Sequence, residues 1–217
     1  MNLGASRTFT DMPLKVVTRE GTTLSIHSPQ DFETIFCLRY TPGIVFQDYK
    51  TQTVIAKRTE KALVKQWITP RQKWLGHYYK AGICGTISLD LTIAWIDEEV
   101  GFGVWTNRAI SAGTFVGEYA GVLRKRKLWK RWHNLYCFDY TIGERKSSSY
   151  VIDAQDCGNH TRFINHSFTP NLQPVSVYCG AMIRVIVHAK EKIPAGTQLC
   201  YDYGDDYWAK RGVPKEF

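Results

Sequence analysis

The chain has 217 residues, of which 44% are hydrophobic and 13% aromatic, and its formal net charge is +8. This composition excludes a disordered chain and is typical of one good-sized globular domain, or of one domain with a smaller companion. No apolar run is long enough to span a bilayer, and no signal peptide is predicted at the start. The six cysteines form no C-x-x-C pair, so we expect reduced thiols and no metal site.

The start of the chain alternates short apolar pieces, "LKVVT" and "TLSI", with polar turns. A helix is then predicted to begin at "SPQD". Ser28 is a good N-cap, Pro29 suits the first helical position, and Asp31 is an acidic residue in the first turn.

Two more helices are predicted before residue 86. "TEKALVKQWI" places Leu63, Val64, Trp67 and Ile68 on one face and must end before Pro70. "RQKWLGHYYK" fits a third helix that ends near Gly82. Residues 1–86 are therefore predicted to form a mixed α/β N-terminal extension.

After residue 86 the pattern changes to strands. The segments "LDLTIAWI", "GVWTNRAI", "TFVGEYAGVL" and "AMIRVIVHAK" are rich in β-branched and aromatic residues and are separated by turn residues. The predicted fold class is mainly β with some α (α+β).

A basic run, "RKRKLWKR" from Arg124 to Arg131, interrupts the strands and is predicted to be helical. One interpretation is a solvated helix face. The other is a contact with an anionic partner such as DNA, a nucleosome or RNA, and the run also fits a nuclear localisation patch.

Three segments of the second half carry the chemistry: "EVGFGVWTNRAISAGTFVGEYAG", "DAQDCGNHTRFINHSFTPN" and "VIVHAKEKIPAGTQLCYDYGDDYW". Together, over residues 88–208, they resemble the SET-domain protein-lysine methyltransferases. The Gly-x-Gly turn alone is weak, but "RFINHS…PN" followed by "YDYG" is highly specific.

The resemblance implies a β fold in which the Asn-His segment and the C-terminal segment meet at a knot-like crossing. It predicts a SET domain over residues 87–204 and a segment, 205–217, that closes the cofactor site. S-Adenosyl-L-methionine would bind on one face of this domain. A peptide would bind on the other face, with its lysine in an aromatic channel.

The resemblance also assigns roles to the cofactor-binding residues. The turn Gly101-Phe102-Gly103 would expose main-chain groups, and Asn165 and His166 would hold the amino-acid end of the cofactor. Arg162 would contact either the cofactor or an internal carboxylate. Candidates for packing on the adenine are, in order, Trp208, Tyr207 and Phe217, with core anchoring as the alternative for each.

Tyr203 is predicted to be the catalytic residue, because it corresponds to the family's tyrosine beside the methyl group and the amine. Tyr119 would line the lysine channel, and Tyr136 and Phe138 would belong either to the channel or to the core. Tyr201 stands where the family carries Tyr or Phe. Its hydroxyl favours mono- or dimethylation, since it can hold a water where a further methyl would go.

The chain departs from many histone-directed members at Phe168, where they carry a zinc-ligating cysteine. With no cysteine-rich flanks and metal ligands predicted as none, it resembles compact viral and bacterial (chlamydial-like) members. Expected substrates are histones or histone-like basic tails. The expected location is the bacterial cytoplasm or, for a secreted effector, the host nucleus.

The alternative function is a non-catalytic chromatin- or DNA-binding protein that uses the run Arg124–Arg131. Retention of Tyr119, Asn165, His166 and Tyr203 argues against this alternative. A homodimer is compatible with the sequence, and no membrane partner is predicted.

Overall fold

The computed structural model describes residues 14–85, 89–126, 134–143 and 149–209. This part of the chain is mixed, with most helices before residue 86 and most strands after it, as predicted. The helices are Pro29–Phe36 (α1), Tyr49–Val64 (α2), Pro70–Tyr78 (α3), Lys80–Cys84 (α4) and Asp205–Trp208 (α5). The strands are Leu14–Val17 (β1), Thr23–Ile26 (β2), Arg39–Tyr40 (β3), Ile44–Phe46 (β4), Leu91–Asp97 (β5), Gly101–Thr106 (β6), Phe115–Glu118 (β7), Gly121–Lys125 (β8), Cys137–Tyr140 (β9), Tyr150–Asp153 (β10), Cys157–Gly158 (β11), Asn165–His166 (β12), Leu172–Cys179 (β13), Met182–Ala189 (β14) and Cys200–Tyr201 (β15). Among the described helices, none is both long and apolar enough to cross a membrane.

Helix α1 begins where the sequence predicts. Ser28 Oγ accepts a hydrogen bond from the Asp31 N–H at 3.2 Å, and Asp31 Oδ2 accepts one from the Ser28 N–H at 3.0 Å. Pro29 occupies the first turn. This reciprocal capping satisfies two of the free N–H groups at the helix start. Phe32, on the inner face, is fully buried.

Helix α2 differs from its prediction at both ends. It begins at Tyr49, ten residues before the predicted start, because Asp48 Oδ1 caps the Thr51 N–H at 2.6 Å. Val64, predicted to be on the inner face, is 76% exposed, and Ile68 is buried but lies beyond the helix. The inner face escaped the apolar pattern because threonines make up half of it. Its buried residues are Thr51, Ile55, Thr59 and Ala62.

The third predicted helix is two helices, α3 and α4, that meet at Tyr79. A capping box between Thr69 and Gln72 starts α3. A Cβ on Gly76 would lie 1.8 Å from the carbonyl oxygen of Tyr178. Only glycine therefore allows the close approach of α3 to β13.

Strands from the first 86 residues extend sheets of the second half. One sheet has the order β2-β1-β5-β6, and β1 runs parallel to β5 with Val16 opposite Ile93. Another has the order β4-β8-β10-β9, in which β4 runs parallel to β8. The third is β13-β14-β7. The boundary near residue 86 remains a prediction about domain organisation, and strands from both sides of it share these sheets.

The Asn-His segment and the C-terminal segment come together, as the resemblance implies. Strand β12 runs parallel to β15, with Asn165 opposite Cys200 and His166 opposite Tyr201. Asn171 joins the two segments further along. Its Nδ2 donates to the Gln198 carbonyl at 2.7 Å, and its Oδ1 accepts from the Cys200 N–H at 3.0 Å.

The basic run does not begin as the predicted helix, because Arg124 and Lys125 are the last residues of β8. Arg124 is buried, and its Nε donates to Asp153 Oδ2 at 2.7 Å. The Arg126 guanidinium pairs with Asp139. Residues 127–131 of the run lie outside the described ranges.

Two hydrophobic clusters form the parts of the core that support the site. The larger contains Phe163 and Tyr201, and the second contains Tyr119. Phe138 packs against both. Residues from both clusters line the cavity described next.

Candidate active site

A cavity of about 590 Å³ opens where α1, the β5–β6 hairpin, β9, β12, β15 and α5 meet. This volume falls within the range of small-molecule sites, roughly 300–1,000 Å³. Most of its lining is aromatic. The lining residues are Ile35, Phe36, Trp95, Glu99, Val100, Gly101, Phe102, Tyr119, Leu135, Tyr136, Cys137, Phe138, Arg162, Phe163, Asn165, His166, Tyr201, Tyr203, Tyr207 and Trp208.

The turn at Gly101 brings main chain to the cavity wall. Gly101 has φ of 78°, a left-handed conformation that favours glycine. Asn165 Nδ2 donates to the Phe102 carbonyl at 3.2 Å, which joins β12 to this turn. A Cβ on Gly103 would come 2.8 Å from Gln198 Nε2 and 2.9 Å from Ile96 Cδ1, so a larger residue would have to displace the ends of these side chains.

His166 is 4% exposed and holds the C-terminal segment in place. Its Nδ1 accepts a hydrogen bond from the Tyr203 N–H at 3.1 Å. Its ring lies edge-on to Phe168, at 4.6 Å, and to Trp208, at 4.9 Å between centroids. The Phe168 ring is thus an outer cover of His166, itself 54% exposed.

The predicted channel residues form a cluster of rings. The Tyr119 hydroxyl donates to the Tyr136 carbonyl at 3.0 Å. The Phe138 ring centroid lies 5.2 Å from that of Tyr119 and 6.4 Å from that of Tyr201. Burial raises the pKa of the Tyr119 and Tyr201 phenols, so both hydroxyls stay protonated.

Tyr203 lies at the centre of the aromatic lining. Its hydroxyl donates to the Ile164 carbonyl at 2.7 Å. The Tyr201 ring lies 4.9 Å away and the Tyr207 ring 4.7 Å away. Burial raises the pKa of Tyr203 well above its ordinary value, with the neighbouring tyrosines adding to the effect. This phenol can act as a neutral hydrogen-bonding group, and it is poorly suited to act as an ionised base.

Arg162 lines the cavity with its side chain bonded to main chain. Its Nε donates to the Ala154 carbonyl at 2.8 Å and its Nη2 to the Gln155 carbonyl at 3.4 Å. The guanidinium lies 3.8 Å from the Tyr136 ring centroid. Burial lowers the pKa of Arg162. These contacts orient the Tyr136 wall, and the contact of Arg162 with the cofactor or with an internal carboxylate stays a prediction.

Helix α5 closes one side of the cavity with aromatic rings. Trp208 stacks parallel to Tyr203 at 6.1 Å, and the Tyr207 hydroxyl donates to the Leu135 carbonyl at 3.3 Å. Trp208 Nε1 is buried and has no hydrogen-bond partner among the described residues. Phe217, the third predicted candidate, lies outside the described residues.

Sequence reasoning missed the part of the wall that comes from α1 and β5. Phe36 lies edge-on to Phe102 at 5.3 Å, and Trp95 does the same at 5.2 Å. Ile35 also lines the cavity and is the third residue of this wall that the sequence does not predict. Phe36 and Ile35 end a helix that is distant in sequence from the motifs, so no local pattern marks them as site residues.

Residues 101–204 match the sequence model of a known family, the SET domain. Over 120 residues the chain is 36% identical to histone-lysine N-methyltransferase EHMT1 of Mus musculus, covering 53% of this chain and 9% of that protein. Over 128 residues it is 34% identical to histone-lysine N-methyltransferase SUV39H1-A of Danio rerio, covering 54% of this chain and 30% of that protein. The chain thus spans less than a third of either relative.

Two solved structures are also similar. One is SUVH6 of Arabidopsis thaliana in complex with SAM, with 33% identity and a TM-score of 0.47, covering 54% of this chain and 29% of that one. The other is KRYPTONITE in complex with DNA, an H3 peptide and SAH, with 31% identity and a TM-score of 0.46, covering 54% and 24%.

The predicted resemblance to SET-domain proteins is therefore confirmed for residues 101–204. The matched residues, 101–204, fall inside the predicted domain of residues 87–204, and the bounds of that domain stay a prediction. The compact viral or bacterial type stays a prediction.

Proposed function

We propose that the protein is an S-adenosyl-L-methionine-dependent protein-lysine N-methyltransferase. The observation that carries this proposal is the convergence on one cavity of the tyrosines 119, 201 and 203 with Asn165, Gly101 and Phe102. The match of residues 101–204 to the SET domain supports the same reaction class.

The residues of the cavity fit the cofactor. S-Adenosylmethionine, when bound, supplies a methyl group activated by its sulfonium. Its ammonium and carboxylate need both acceptors and donors, which Asn165 and the main chain around Gly101 provide. Trp208 Nε1 is a buried donor without a partner among the described residues, and the aromatic rings provide an apolar wall for the adenine. In this proposal the cofactor-binding residues are Gly101, Phe102, Gly103, Arg162, Asn165, His166, Tyr207 and Trp208.

The rings of Tyr119, Tyr201 and Phe138, with Tyr136, would form the lysine channel. Aromatic walls suit both the aliphatic stem of lysine and its cationic head. The amine must lose a proton before it can attack, since its free pKa is about 10.4. Because burial keeps the phenols of Tyr119, Tyr201 and Tyr203 protonated, the proton leaves to solvent rather than to them. The Tyr203 hydroxyl would orient the neutral amine and stabilise the polarised methyl.

The proposed substrate is a lysine in a basic tail of a histone or histone-like protein. Exposed carboxylates near α5, those of Asp202, Asp205 and Asp206, would attract such a tail. Contact with nucleosomal or other nucleic acid through the basic run Arg124–Arg131 is part of the same proposal, although Arg124 itself is buried against Asp153 and would take no part in it. The site of action would be the bacterial cytoplasm or a host nucleus, according to the substrate.

Labelled methyl transfer to histones and bacterial histone-like proteins tests this function. We expect Tyr203→Phe to lower kcat by about 10²–10³, the cost of losing one donor to a developing charge. Tyr79→Phe is the matched control, because the Tyr79 hydroxyl donates to the Gly113 carbonyl at 3.0 Å and Tyr79 does not line the cavity. Equal rates for Tyr203→Phe and wild type would refute the catalytic assignment.

A second measurement distinguishes an enzyme from a non-catalytic binding protein. S-Adenosylhomocysteine should raise the thermal midpoint of the wild type in a concentration-dependent way. A midpoint that does not change, together with an absence of methyl transfer, would favour the non-catalytic alternative.

A further inference from the structure

Helices α2 and α3, the turn between them and the first residue of α4 carry most of the net charge of the protein. Residues 49–80 contain eight Lys or Arg against a single Glu, a net charge of +7 in a chain whose total is +8. All eight cations are exposed: Lys50, Lys57, Arg58, Lys61, Lys65, Arg71, Lys73 and Lys80.

These cations contribute little to the packing of the fold. The inner faces of the two helices already pack on the core, through Ile55 and Ala62 of α2 and through the close contact of Gly76 with Tyr178. Within the described ranges, none of the eight cations forms an ion pair with a carboxylate. The Arg58 guanidinium lies 5.1 Å from the Tyr150 ring centroid. Uncompensated charge of this density costs stability through self-repulsion, so it indicates an anionic partner.

An exposed pair of aromatic residues lies on the outer side of α3, among these cations. Trp74 and Tyr78 stack at 5.2 Å with an interplanar angle of 16°, and they are 61% and 60% exposed. Arg71 precedes Trp74 by three residues and thus shares its side of the helix. The Tyr78 ring is also held edge-on by Tyr79 at 4.8 Å. Large exposed rings surrounded by cations mark a docking surface.

We propose that α2, the turn and α3 form a docking surface for duplex DNA, bound through its phosphate backbone without base reading. From Lys50 to Lys61 the helix extends roughly 16 Å at 1.5 Å per residue. Duplex DNA offers about one charge per 1.7 Å along its axis, so a rigid row of cations can face several phosphates at once. Lysine predominates among the eight cations, which suits point contacts with phosphates rather than bidentate reading of bases.

Other anionic partners fit less well. A membrane surface would require a continuous apolar helix face to enter the bilayer. Ile55 and Ala62 of α2 are buried in the core, and the exposed apolar side chains, such as Val64, Trp74 and Tyr78, lie among cations and form no continuous face. Single-stranded nucleic acid would need aromatic rings free to stack on bases. Here Trp74 and Tyr78 already cover one face of each other, and Tyr79 fixes Tyr78. This surface does not depend on the proposed methyl transfer.

The test is binding of the full chain to a short mixed-sequence DNA duplex, by fluorescence anisotropy over a range of salt concentrations. The test variant replaces Lys57, Lys61 and Lys65 by Gln. The matched control replaces Lys15, Lys190 and Lys192, also exposed, by Gln, with the same change in net charge. Both sets are surface residues, and equal thermal midpoints verify the folded state.

We expect the test variant to bind about tenfold or more weakly at moderate salt and its log–log salt slope to fall in magnitude by about 2 to 3. The control variant should retain the wild-type slope. Equal losses in the two variants would show that only overall charge matters and would overturn the proposal. Tighter binding to single-stranded DNA or to anionic phospholipid vesicles than to the duplex would overturn it as well.

Discussion

Main-chain carbonyls hold the hydroxyls of several tyrosines of the cavity. Those of Tyr119 and Tyr203 donate to main-chain carbonyls, at 3.0 and 2.7 Å. The Tyr201 ring lies between Phe138 and Tyr203, where the predicted amine would arrive. Its hydroxyl can therefore limit the space beside the amine.

Tyr201→Phe should shift the products towards more highly methylated lysine, because removal of the hydroxyl frees the space that a retained water would occupy. Mass spectrometry of a methylated histone-tail peptide measures the product distribution. Tyr79→Phe, which removes a hydroxyl away from the cavity, should leave the distribution unchanged. The same mono-, di- and trimethyl fractions for Tyr201→Phe and wild type would contradict this role.

His160 should make stability sensitive to acid. It is buried, one of its ring nitrogens lies 3.0 Å from the Val116 carbonyl, and burial lowers its pKa from 6.5 to about 4. The unfolded chain thus binds a proton at a higher pH than the folded chain does. Stability is therefore lost as the pH falls below 6.5 towards 4.

Between about pH 7 and pH 5 this one residue should remove roughly 2 kcal/mol from the free energy of unfolding. Urea unfolding at the two pH values measures the difference. His160→Gln keeps an N–H donor for the Val116 carbonyl and cannot titrate, so its loss over this range should be smaller by that amount. If the free energy of unfolding falls equally in the variant and the wild type, groups other than His160 cause the acid sensitivity.

Among individual residues, the sequence predicts those site residues that belong to a recognisable motif. Tyr203 and Asn165 were assigned from "YDYG" and "RFINHS", and both line the cavity. Phe36 and Trp95 were missed because a ring on an ordinary helix or strand carries no local sign of its function. Only the packing of α1 and β5 against Phe102 reveals them.

Among the elements, the pair β12–β15 depends on Asn171. This side chain donates to the Gln198 carbonyl and accepts from the Cys200 N–H, so it fixes the strand that carries Tyr201. Asn171→Ala would leave both main-chain groups without these partners. We expect a loss of about 1–3 kcal/mol in the free energy of unfolding for each group left unpaired and buried.

The same substitution should weaken binding of S-adenosylhomocysteine, because Asn165 and His166 lie on the strand paired with β15. Chemical denaturation and calorimetric titration measure the two effects. Thr169→Ala is the control, since Thr169 is exposed in the same turn. If Asn171→Ala proves as stable as Thr169→Ala, the side chain of Asn171 does not hold these two segments together.

The start of α1 is predictable from the sequence, whereas the start of α2 is not. Four consecutive residues, Ser28 to Asp31, form the cap, and α1 begins there. The start of α2 depends on Asp48, which lies before a stretch whose inner positions include Thr51 and Thr59. Those threonines are buried by the tertiary fold, so the apolar pattern alone placed the helix too late.

In the molecule as a whole, the N-terminal region takes part in the candidate site. Helix α1 brings Phe36 to the cavity, where its ring also lies 4.6 Å from Phe163. Phe36→Ala should raise the Kd for S-adenosylhomocysteine by about tenfold, because the wall loses a large apolar contact.

Phe46→Ala is the matched control for this prediction. Phe46 packs on the second core cluster and does not line the cavity. Calorimetric titration should therefore give a Kd close to that of the wild type for Phe46→Ala, even if both variants lose stability. Equal Kd values for the two variants would remove α1 from the cofactor site.

Because β12 pairs with β15, the cavity can form only late in the synthesis of the chain. A ribosome makes Asn165 and His166 long before it makes Tyr201, and α5 follows later still. Pairing across such separations contributes to high contact order, which slows folding. Until residues 200–208 have left the exit tunnel, the cavity lacks Tyr201, Tyr203 and Trp208. A nascent chain therefore cannot hold the cofactor in the proposed way. The ability to bind the cofactor should arise in one late step.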